Sequence, residues 1–398
     1  MRSAQMIVGR GAPPLLSAVA SSPFNAQLHS RPLTVQLTTP RCSSVTMGAS
    51  PVATVAGIAA ALVLLRIATK WDSRLSALLN LIFLAIPAPK MASVTDDDDP
   101  EMAPHIEKLR QSHAKGMVSL PTVDVGSTED LVLPRSSDSG GVPVRMYYPP
   151  STTTTTSESP LPWLLYYHGG GWCLGSVDTH DAFCRRLCAG ANVAVASVEY
   201  RRSPEHKYPA PDEDCFDALV ALRSGKVPTL RQLDPQRAAV GGDSSGGTLA
   251  ANVAIRAARC GIPLRLQLLL CPALDAAANT PSYDTNANAP GLSAETMRWL
   301  WERYLPSGDA AARLAASPLQ AVDLSGVAPA YIVAAELDVL RDEAEIYASR
   351  IRGTGGQATF VAYDGGVHTF LVYSGTPLAL GDVALDEAAR FLSFSLLG

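Results

Sequence analysis

The stretch Val240–Gly247 most constrains the fold of this chain, because it places a serine between a strand-like and a helix-like run. An apolar run ends where the stretch begins, and a helix-like run, Thr248–Cys260, follows it. Between them, Gly242–Gly246 reads Gly-x-Ser-x-Gly around Ser244. Small neighbours permit the strained strand-to-helix turn that presents a nucleophilic serine at a helix N-terminus. Chance supplies such a pentapeptide in roughly one chain of six at ordinary residue usage, so the remaining residues must decide its meaning.

Length and composition bound the possible classes of protein. The 398 residues allow one large domain and an additional segment, and the net charge of −5 gives no support to nucleic-acid binding. Seven cysteines, an odd number, do not indicate a disulfide framework in a chain of this length. Cys184 and Cys188 are one helical turn apart and would suit a metal pair, but no further ligands complete a set. We therefore interpret the cysteines as buried free thiols and predict no metal and no cofactor.

The N-terminal region differs from the rest of the chain. Residues 1–71 contain no Asp or Glu, carry several Arg residues and are rich in Ser, Thr, Ala and Pro. An acid-free, Arg-bearing, Ser-rich start is typical of an organelle transit segment. We predict a targeting or disordered segment over 1–48 and a membrane-associated or organellar protein, in the endoplasmic reticulum or a plastid.

A strongly apolar run at 52–65 indicates a membrane anchor. Extended to 49–69, with Arg66 near one end, it reaches the length of about 20 residues that a membrane-spanning helix needs. The anchor is predicted within 49–90, with a cleaved targeting sequence or a soluble packed helix as alternatives. Four consecutive Asp residues and a Pro within 91–100 indicate an acidic linker to the next domain.

From residue 101 onward, strand-like and helix-like runs alternate. The predicted strands are Val142–Tyr148, Trp163–Tyr167, Asn192–Val198, the run ending at Val240, Leu266–Leu270, Tyr331–Ala335 and Ala358–Ala362. The predicted helices are Thr179–Ala189, Asp212–Ser224, Thr248–Cys260, Ser293–Leu305, Arg341–Arg352 and Leu378–Leu397. Near-continuous apolar strands separated by helices indicate an α/β fold, with a parallel sheet covered on both faces. The helix at 293–305, capped by Ser293, falls outside the alternation and looks like an insertion over the sheet.

The partners that Ser244 would need are found by counting along the chain. On a strand–turn–helix architecture an acid and then a histidine follow the nucleophile, and His368 is the one histidine that follows Ser244. It lies in a glycine-rich loop after the last predicted strand. The acid should lie between them, and Asp338, just past the strand at 331–335, is the first candidate, with Glu336 second. Its carboxylate would orient the histidine ring and stabilise the imidazolium.

A second glycine motif, His168–Trp172, directly follows the predicted strand at 163–167. Consecutive glycines leave backbone N–H groups close to a ligand, as an oxyanion hole for acyl transfer requires. Chance yields His-Gly-Gly-Gly in well under about 1% of such chains, so this motif carries more weight than the serine pentapeptide. We interpret His168 as a structural residue that holds the loop, and Cys173 as a small buried hydrophobe.

In combination these segments resemble the hormone-sensitive-lipase-like group of α/β-hydrolases. The resemblance is carried by His168–Trp172, Gly242–Gly247, Asp338–Glu343 and His368–Phe370, with support from Tyr200–Pro209 and Ser317–Leu319. It implies an eight-stranded, mostly parallel α/β-hydrolase sheet within 101–398. It also implies a helical lid built from about 101–125 and 276–316.

The resemblance also implies a function. Ser244, His368 and Asp338 would form the catalytic triad of a serine carboxylesterase, which cleaves an ester, expected to be lipophilic, through an acyl-enzyme. An amidase or deacetylase acting on lipophilic amides, and a membrane-lipid lipase, remain alternatives within the group. Plant gibberellin receptors resemble the same group but bind a hormone and lack the catalytic histidine. The presence of His368 favours an enzyme over a receptor.

The oxyanion donors of the group map onto three backbone amides of this chain, those of Gly170, Gly171 and Ser245. Ser245 stands where the group often has Ala, and Thr369 stands where it often has Gly. Neither difference removes a catalytic group, because Ser245 would contribute only its amide.

Overall fold

A computed structural model describes residues 102–118, 120–150, 159–375 and 379–398. The predicted targeting segment, membrane anchor and acidic linker, which together cover 1–100, lie outside these residues. Within the described ranges, no helix has both the length and the apolar character needed to cross a bilayer.

The strands of the described chain form one sheet. They are β1 (Ser127–Leu133), β2 (Val142–Tyr148), β3 (Leu161–Tyr167), β4 (Ala194–Val198), β5 (Leu233–Asp243), β6 (Leu266–Leu270), β7 (Ala330–Leu337) and β8 (Ala358–Val367). Their order across the sheet is β1-β2-β4-β3-β5-β6-β7-β8. The β1–β2 and β2–β4 pairs are antiparallel, and the pairs from β4–β3 to β7–β8 are parallel. The predicted eight-stranded, mostly parallel sheet is confirmed.

Helices cover both faces of this sheet. The α-helices of the described ranges are α1 (Met102–Met117), α2 (Asp181–Ala191), α3 (Ala210–Arg223), α4 (Ser245–Arg259), α5 (Ser282–Thr285), α6 (Ala294–Tyr304), α7 (Ala310–Ala315), α8 (Arg341–Gly353) and α9 (Ala379–Leu397). Successive residues of β3 point to different cores: Leu165 packs in the core that includes α3, α4 and α8, and Leu164 in the core that includes α2 and α9. Because both faces are buried, the central strands read as continuous apolar runs.

The strand that the sequence did not predict is β1. It lies at the edge of the sheet, and along its seven residues Leu133 alone is fully buried. An edge strand with a solvated face carries polar residues such as Glu129 and Asp130, so it lacks the apolar run that revealed the central strands.

Helices also occupy both segments predicted to form the lid. Of these, α1 lies within 101–125, and α5, α6 and α7 lie within 276–316. The predicted cap of α6 is confirmed, since the Ser293 hydroxyl accepts the Thr296 N–H at 3.1 Å. The Tyr304 ring of α6 stacks on Trp172 with ring centroids 4.3 Å apart. The inserted helix is therefore packed directly against the residue that follows the glycine loop.

Close packing between β3 and the start of α4 leaves no room for a side chain at Gly246. A Cβ there would overlap the carbonyl oxygen of Tyr167 and lie 2.7 Å from that of His168. Because both neighbours are backbone atoms, no side-chain rotamer relieves the clash. We expect Gly246→Ala to lower the free energy of unfolding by at least about 1–3 kcal/mol, as overpacked cores do.

The matched control is Gly353→Ala at the end of α8, where a Cβ would have no neighbour within 4 Å. It should be neutral or stabilising by up to about 1 kcal/mol, because alanine restricts the unfolded chain. Urea denaturation of the two variants checks the prediction, and equal stabilities would contradict it.

Candidate active site

Ser244 occupies a tight junction between β5 and α4. The strand continues to Asp243 and the helix starts at Ser245, so the turn is shorter than the glycines suggested, and Ser244 alone separates the two elements. Its backbone has φ 53° and ψ −120°, outside the regions that side-chain-bearing residues favour. The conformation is held by the Ser244 N–H, which donates to Leu270 O at 2.9 Å, and by its carbonyl, which accepts the Gly247 N–H at 3.0 Å.

Two hydrogen bonds join the three residues predicted to form the triad. His368 Nε2 lies 2.9 Å from Ser244 Oγ, and His368 Nδ1 lies 2.7 Å from Asp338 Oδ2. The other oxygen of Asp338 accepts the Leu340 N–H at 3.0 Å. All three side chains are buried, with exposed fractions of 7% for Ser244, 8% for His368 and 1% for Asp338. A carboxylate facing Nδ1 favours the tautomer with its proton there, so the lone pair of Nε2 faces the serine.

The second candidate acid, Glu336, has a different role. Its carboxylate accepts the N–H of Gly365 at 2.7 Å. Gly365 lies in β8, which continues to Val367, so the glycine-rich segment predicted as a loop is the end of the strand and His368 follows it directly. Glu336 therefore helps to hold the strand end that presents the histidine, while Asp338 faces the ring.

The glycine loop after β3 has the conformation that its sequence demands. Gly170 has φ 118° and Gly171 has φ 60°. A Cβ on Gly170 would lie 2.6 Å from the backbone of Leu174, so this position requires glycine. Neither the Gly170 nor the Gly171 N–H donates to another backbone acceptor among the described residues. Ser245 is the first residue of α4, where helix geometry also leaves the N–H without an intrahelical partner.

The carboxylate of Asp243 ties this loop to the serine turn. It is 2% exposed and accepts the Tyr166 hydroxyl at 2.7 Å and the Gly169 N–H at 3.0 Å. His180 Nε2 lies 3.3 Å away. Burial acts to raise the pKa of Asp243, but His180 and Tyr166 together hold it below its ordinary value. This role is absent from the sequence analysis, although an acid at the end of an apolar strand was a signal for it.

His168 supports the loop from within the core, in agreement with the structural role predicted for it. Its Nδ1 lies 2.9 Å from Gly169 O, and the Tyr200 hydroxyl donates to its carbonyl at 2.7 Å. The Tyr200 ring stacks on the imidazole with centroids 4.3 Å apart. Burial, and secondarily His180, lower the pKa of His168 to about 3, so the ring is neutral at physiological pH.

Helix α1 is fastened to the same loop by Arg110, a residue that the sequence analysis did not single out. Its Nε donates to Cys173 O at 2.9 Å, and Nη2 donates to Ser203 O at 3.2 Å. The guanidinium also pairs with Glu205 at 2.8 Å. Cys173 itself is fully buried, as predicted.

A buried acid, Glu343, supports the loop after β6 that contacts the serine turn. It lies in the first turn of α8, and its carboxylate accepts the N–H groups of Leu274 and Asp275. The loop that it holds continues from Ala273, whose N–H donates to Ser244 O at 3.2 Å. Burial raises the pKa of Glu343 to about 8, although the two amides act in the opposite direction.

Comparison with known proteins identifies related sequences and structures. A family profile described as alpha/beta hydrolase fold matches residues 164–372. Carboxylic ester hydrolase LipN of Mycobacterium tuberculosis (strain ATCC 25618 / H37Rv) is 41% identical over 59% of this chain, which spans 61% of that relative's length. Arylacetamide deacetylase of Oryctolagus cuniculus is 30% identical over 66% of this chain and 80% of its own length. The crystal structure of EstE1, a thermophilic and thermostable carboxylesterase from a metagenomic library, is 35% identical, with a TM-score of 0.67 over 73% of this chain and 97% of its own.

The protonation of Glu343 predicts how stability changes with pH. In the unfolded chain this acid loses its proton near pH 4.3, whereas the folded protein retains it up to about pH 8. Between these values the folded state binds more protons, so the free energy of unfolding falls as pH rises, by up to about 1.4 kcal/mol per pH unit. Glu343→Gln should remove this slope, because the amide carbonyl still accepts the two N–H groups but does not ionise. Urea denaturation of wild type and Glu343→Gln at pH 5 to 8 checks this prediction. Parallel pH profiles of the two free energies of unfolding would contradict it.

Proposed function

The chain belongs to the hormone-sensitive-lipase-like group of α/β-hydrolases, and on that premise we propose that it is a serine carboxylesterase. The observation that carries the proposal is the continuous hydrogen-bond series from Asp338 through His368 to Ser244. The relatives LipN and EstE1, named as a carboxylic ester hydrolase and a carboxylesterase, support it.

The geometry suits a two-step acyl transfer. Ser244 Oγ attacks the ester carbonyl carbon while His368 Nε2 takes the hydroxyl proton. The imidazolium, stabilised by Asp338, gives that proton to the departing alcohol. Water then attacks the acyl-enzyme with His368 as the base, which releases the acid and restores the serine. Asp338 remains ionised throughout and keeps the ring in the productive tautomer.

Charge on the carbonyl oxygen would be stabilised by the amides of Gly170, Gly171 and Ser245. Each such donor is worth about 10²–10³ in rate when it is held in place before the reaction. The contacts of Asp243 and His168 with the glycine loop support this proposal, because they hold that loop against the serine turn.

A hormone receptor of the same group is disfavoured because the receptors lack the catalytic histidine, whereas His368 is present here and lies within hydrogen-bond distance of Ser244. Hydrolysis of lipophilic amides is a second candidate, favoured by the 30% identity to arylacetamide deacetylase. A series of aryl esters of increasing acyl length, assayed beside matched anilides, separates the two activities. We expect higher kcat/KM on the esters, and higher kcat/KM on the anilides would select the amidase.

We also propose that residues 49–69 associate the protein with a membrane, on the strength of their length and apolar character. Fractionation of the full-length chain should place it with membranes after washing at high salt. Recovery of the unprocessed chain in the soluble fraction would contradict this part of the proposal.

Replacement of the nucleophile tests the esterase directly. We expect Ser244→Ala to reduce kcat for p-nitrophenyl acetate by about 10⁴–10⁶, as removal of a catalytic serine does. Ser245→Ala is the matched variant: it retains the amide and removes only the hydroxyl, so kcat should fall by less than about tenfold. Melting temperatures of both variants control for folding. A folded Ser244→Ala protein that hydrolyses the ester at the normal rate would refute the assignment.

A further inference from the structure

A cysteine that the proposed reaction does not use lies beside the proposed triad. Within the described part of the chain, Cys271, Asp338 and His368 each offer one ligand atom, and these atoms lie within 4.8 Å of one another. All three residues are buried, with exposed fractions of 1%, 1% and 8%. Three ligating groups therefore converge in the interior, and one of them, His368, also contacts Ser244.

The fold holds Cys271 rigidly in this position. Cys271 follows β6 directly and has φ 46°, in the left-handed region. Its N–H donates to Val333 O of β7, the strand that leads to Asp338, at 2.7 Å. Burial first, and then the charge of Asp338, raise the pKa of the Cys271 thiol, while the backbone of Thr369 acts in the opposite direction. The Cys271 sulfur thus lies within 4.8 Å of the ligand atoms of both Asp338 and His368.

We propose that Cys271, Asp338 and His368 form a binding site for a thiophilic divalent cation such as Zn²⁺, and that the bound ion inhibits the enzyme. The inhibition rests on the proposed function, whereas the binding does not. Cysteine sulfur, histidine nitrogen and carboxylate oxygen are the ligand types that Zn²⁺ takes, and a thiolate selects against Mg²⁺ and Ca²⁺. One thiolate and one carboxylate cancel the charge of the ion, which limits the cost of burying it.

Binding would separate His368 from Asp338. Tetrahedral bonds of about 2.0–2.3 Å to zinc place neighbouring ligand atoms about 3.3–3.7 Å apart. The Nδ1 to Oδ2 distance is 2.7 Å, so this pair must open to admit the ion. The ion can therefore enter only by replacing the hydrogen bond that orients the histidine.

The proton balance explains the inhibition. The Cys271 thiol releases its proton to solvent as the sulfur binds the ion. The proton on His368 Nδ1 moves to Nε2, because a neutral imidazole bound through one nitrogen carries its proton on the other. An Nε2 that carries a proton cannot accept one from Ser244 Oγ. One proton is released, nothing is oxidised or reduced, and the base is blocked without any contact between ion and serine.

The test compares wild type with Cys271→Ala and with Cys260→Ala, which removes an exposed thiol outside the cluster. Ester hydrolysis and fluorophosphonate labelling of each protein are measured against Zn²⁺ and Mg²⁺ and normalised to the rate without metal. We expect Zn²⁺ to inhibit wild type and Cys260→Ala equally. Half-inhibition of Cys271→Ala should require about 10- to 100-fold more Zn²⁺ than half-inhibition of wild type. Loss of a group that only supports a metal ligand lowers metal affinity by this factor, and loss of a ligand should cost at least as much. Mg²⁺ should inhibit none of the three proteins. If Cys271→Ala does not fold, Cys271→Ser takes its place.

Cadmium reports binding without reference to activity. A cadmium titration should give the ultraviolet thiolate-to-cadmium absorption in wild type and Cys260→Ala, and a weaker one in Cys271→Ala. Equal zinc sensitivity and equal cadmium absorption in wild type and Cys271→Ala would overturn the site. An active wild type that binds cadmium but that zinc does not inhibit would overturn the inhibition. Absence of hydrolysis and labelling in every protein without metal would overturn the proposed function instead, and the cadmium titration would still decide the site.

Discussion

The strained, positive-φ backbone of Ser244 is the constraint on which the rest of the structure depends. The strained turn requires a strand that ends at Asp243, a helix that begins at Ser245, and glycines where β3 and α4 meet. The sheet supplies the strand end. The apolar cores on both faces of the sheet hold that strand end rigidly. Strain of this kind, of order 1–3 kcal/mol, persists only where the surroundings determine it fully.

Polar groups then fix the loops around that turn. Asp243 joins the glycine loop to the strand end, Glu343 anchors the loop after β6, and the partly exposed Arg110 fastens α1 to the segment after the glycines. Loss of a hydrogen-bond partner at the buried Asp243 or Glu343 would be costly, so these contacts act as a set of supports. They explain how a site assembled from separate loops retains hydrogen-bond distances of 2.7 and 2.9 Å between its central groups.

Much of this arrangement follows from the sequence, and the remainder fails to follow for identifiable reasons. The central strands, the helices between them and the two partners of Ser244 could be predicted, because apolar runs and the order serine, acid, histidine are local or countable signals. Edge strand β1 was missed because its solvated face carries polar residues. The roles of Arg110 and Cys271 depend on contacts between distant segments, and no spacing along the chain reveals them.

Reaction with a fluorophosphonate, followed by tryptic mapping of the adduct, is the most direct test of the proposal that Ser244 is a nucleophile activated by His368. We predict one phosphonyl group per chain, on the peptide covering 238–256, with fragment ions that place it on Ser244 rather than on Ser245. Labelling should be slowed strongly in His368→Ala. A label on any other residue, or an unlabelled protein that still hydrolyses esters, would contradict the assignment of Ser244 as the nucleophile.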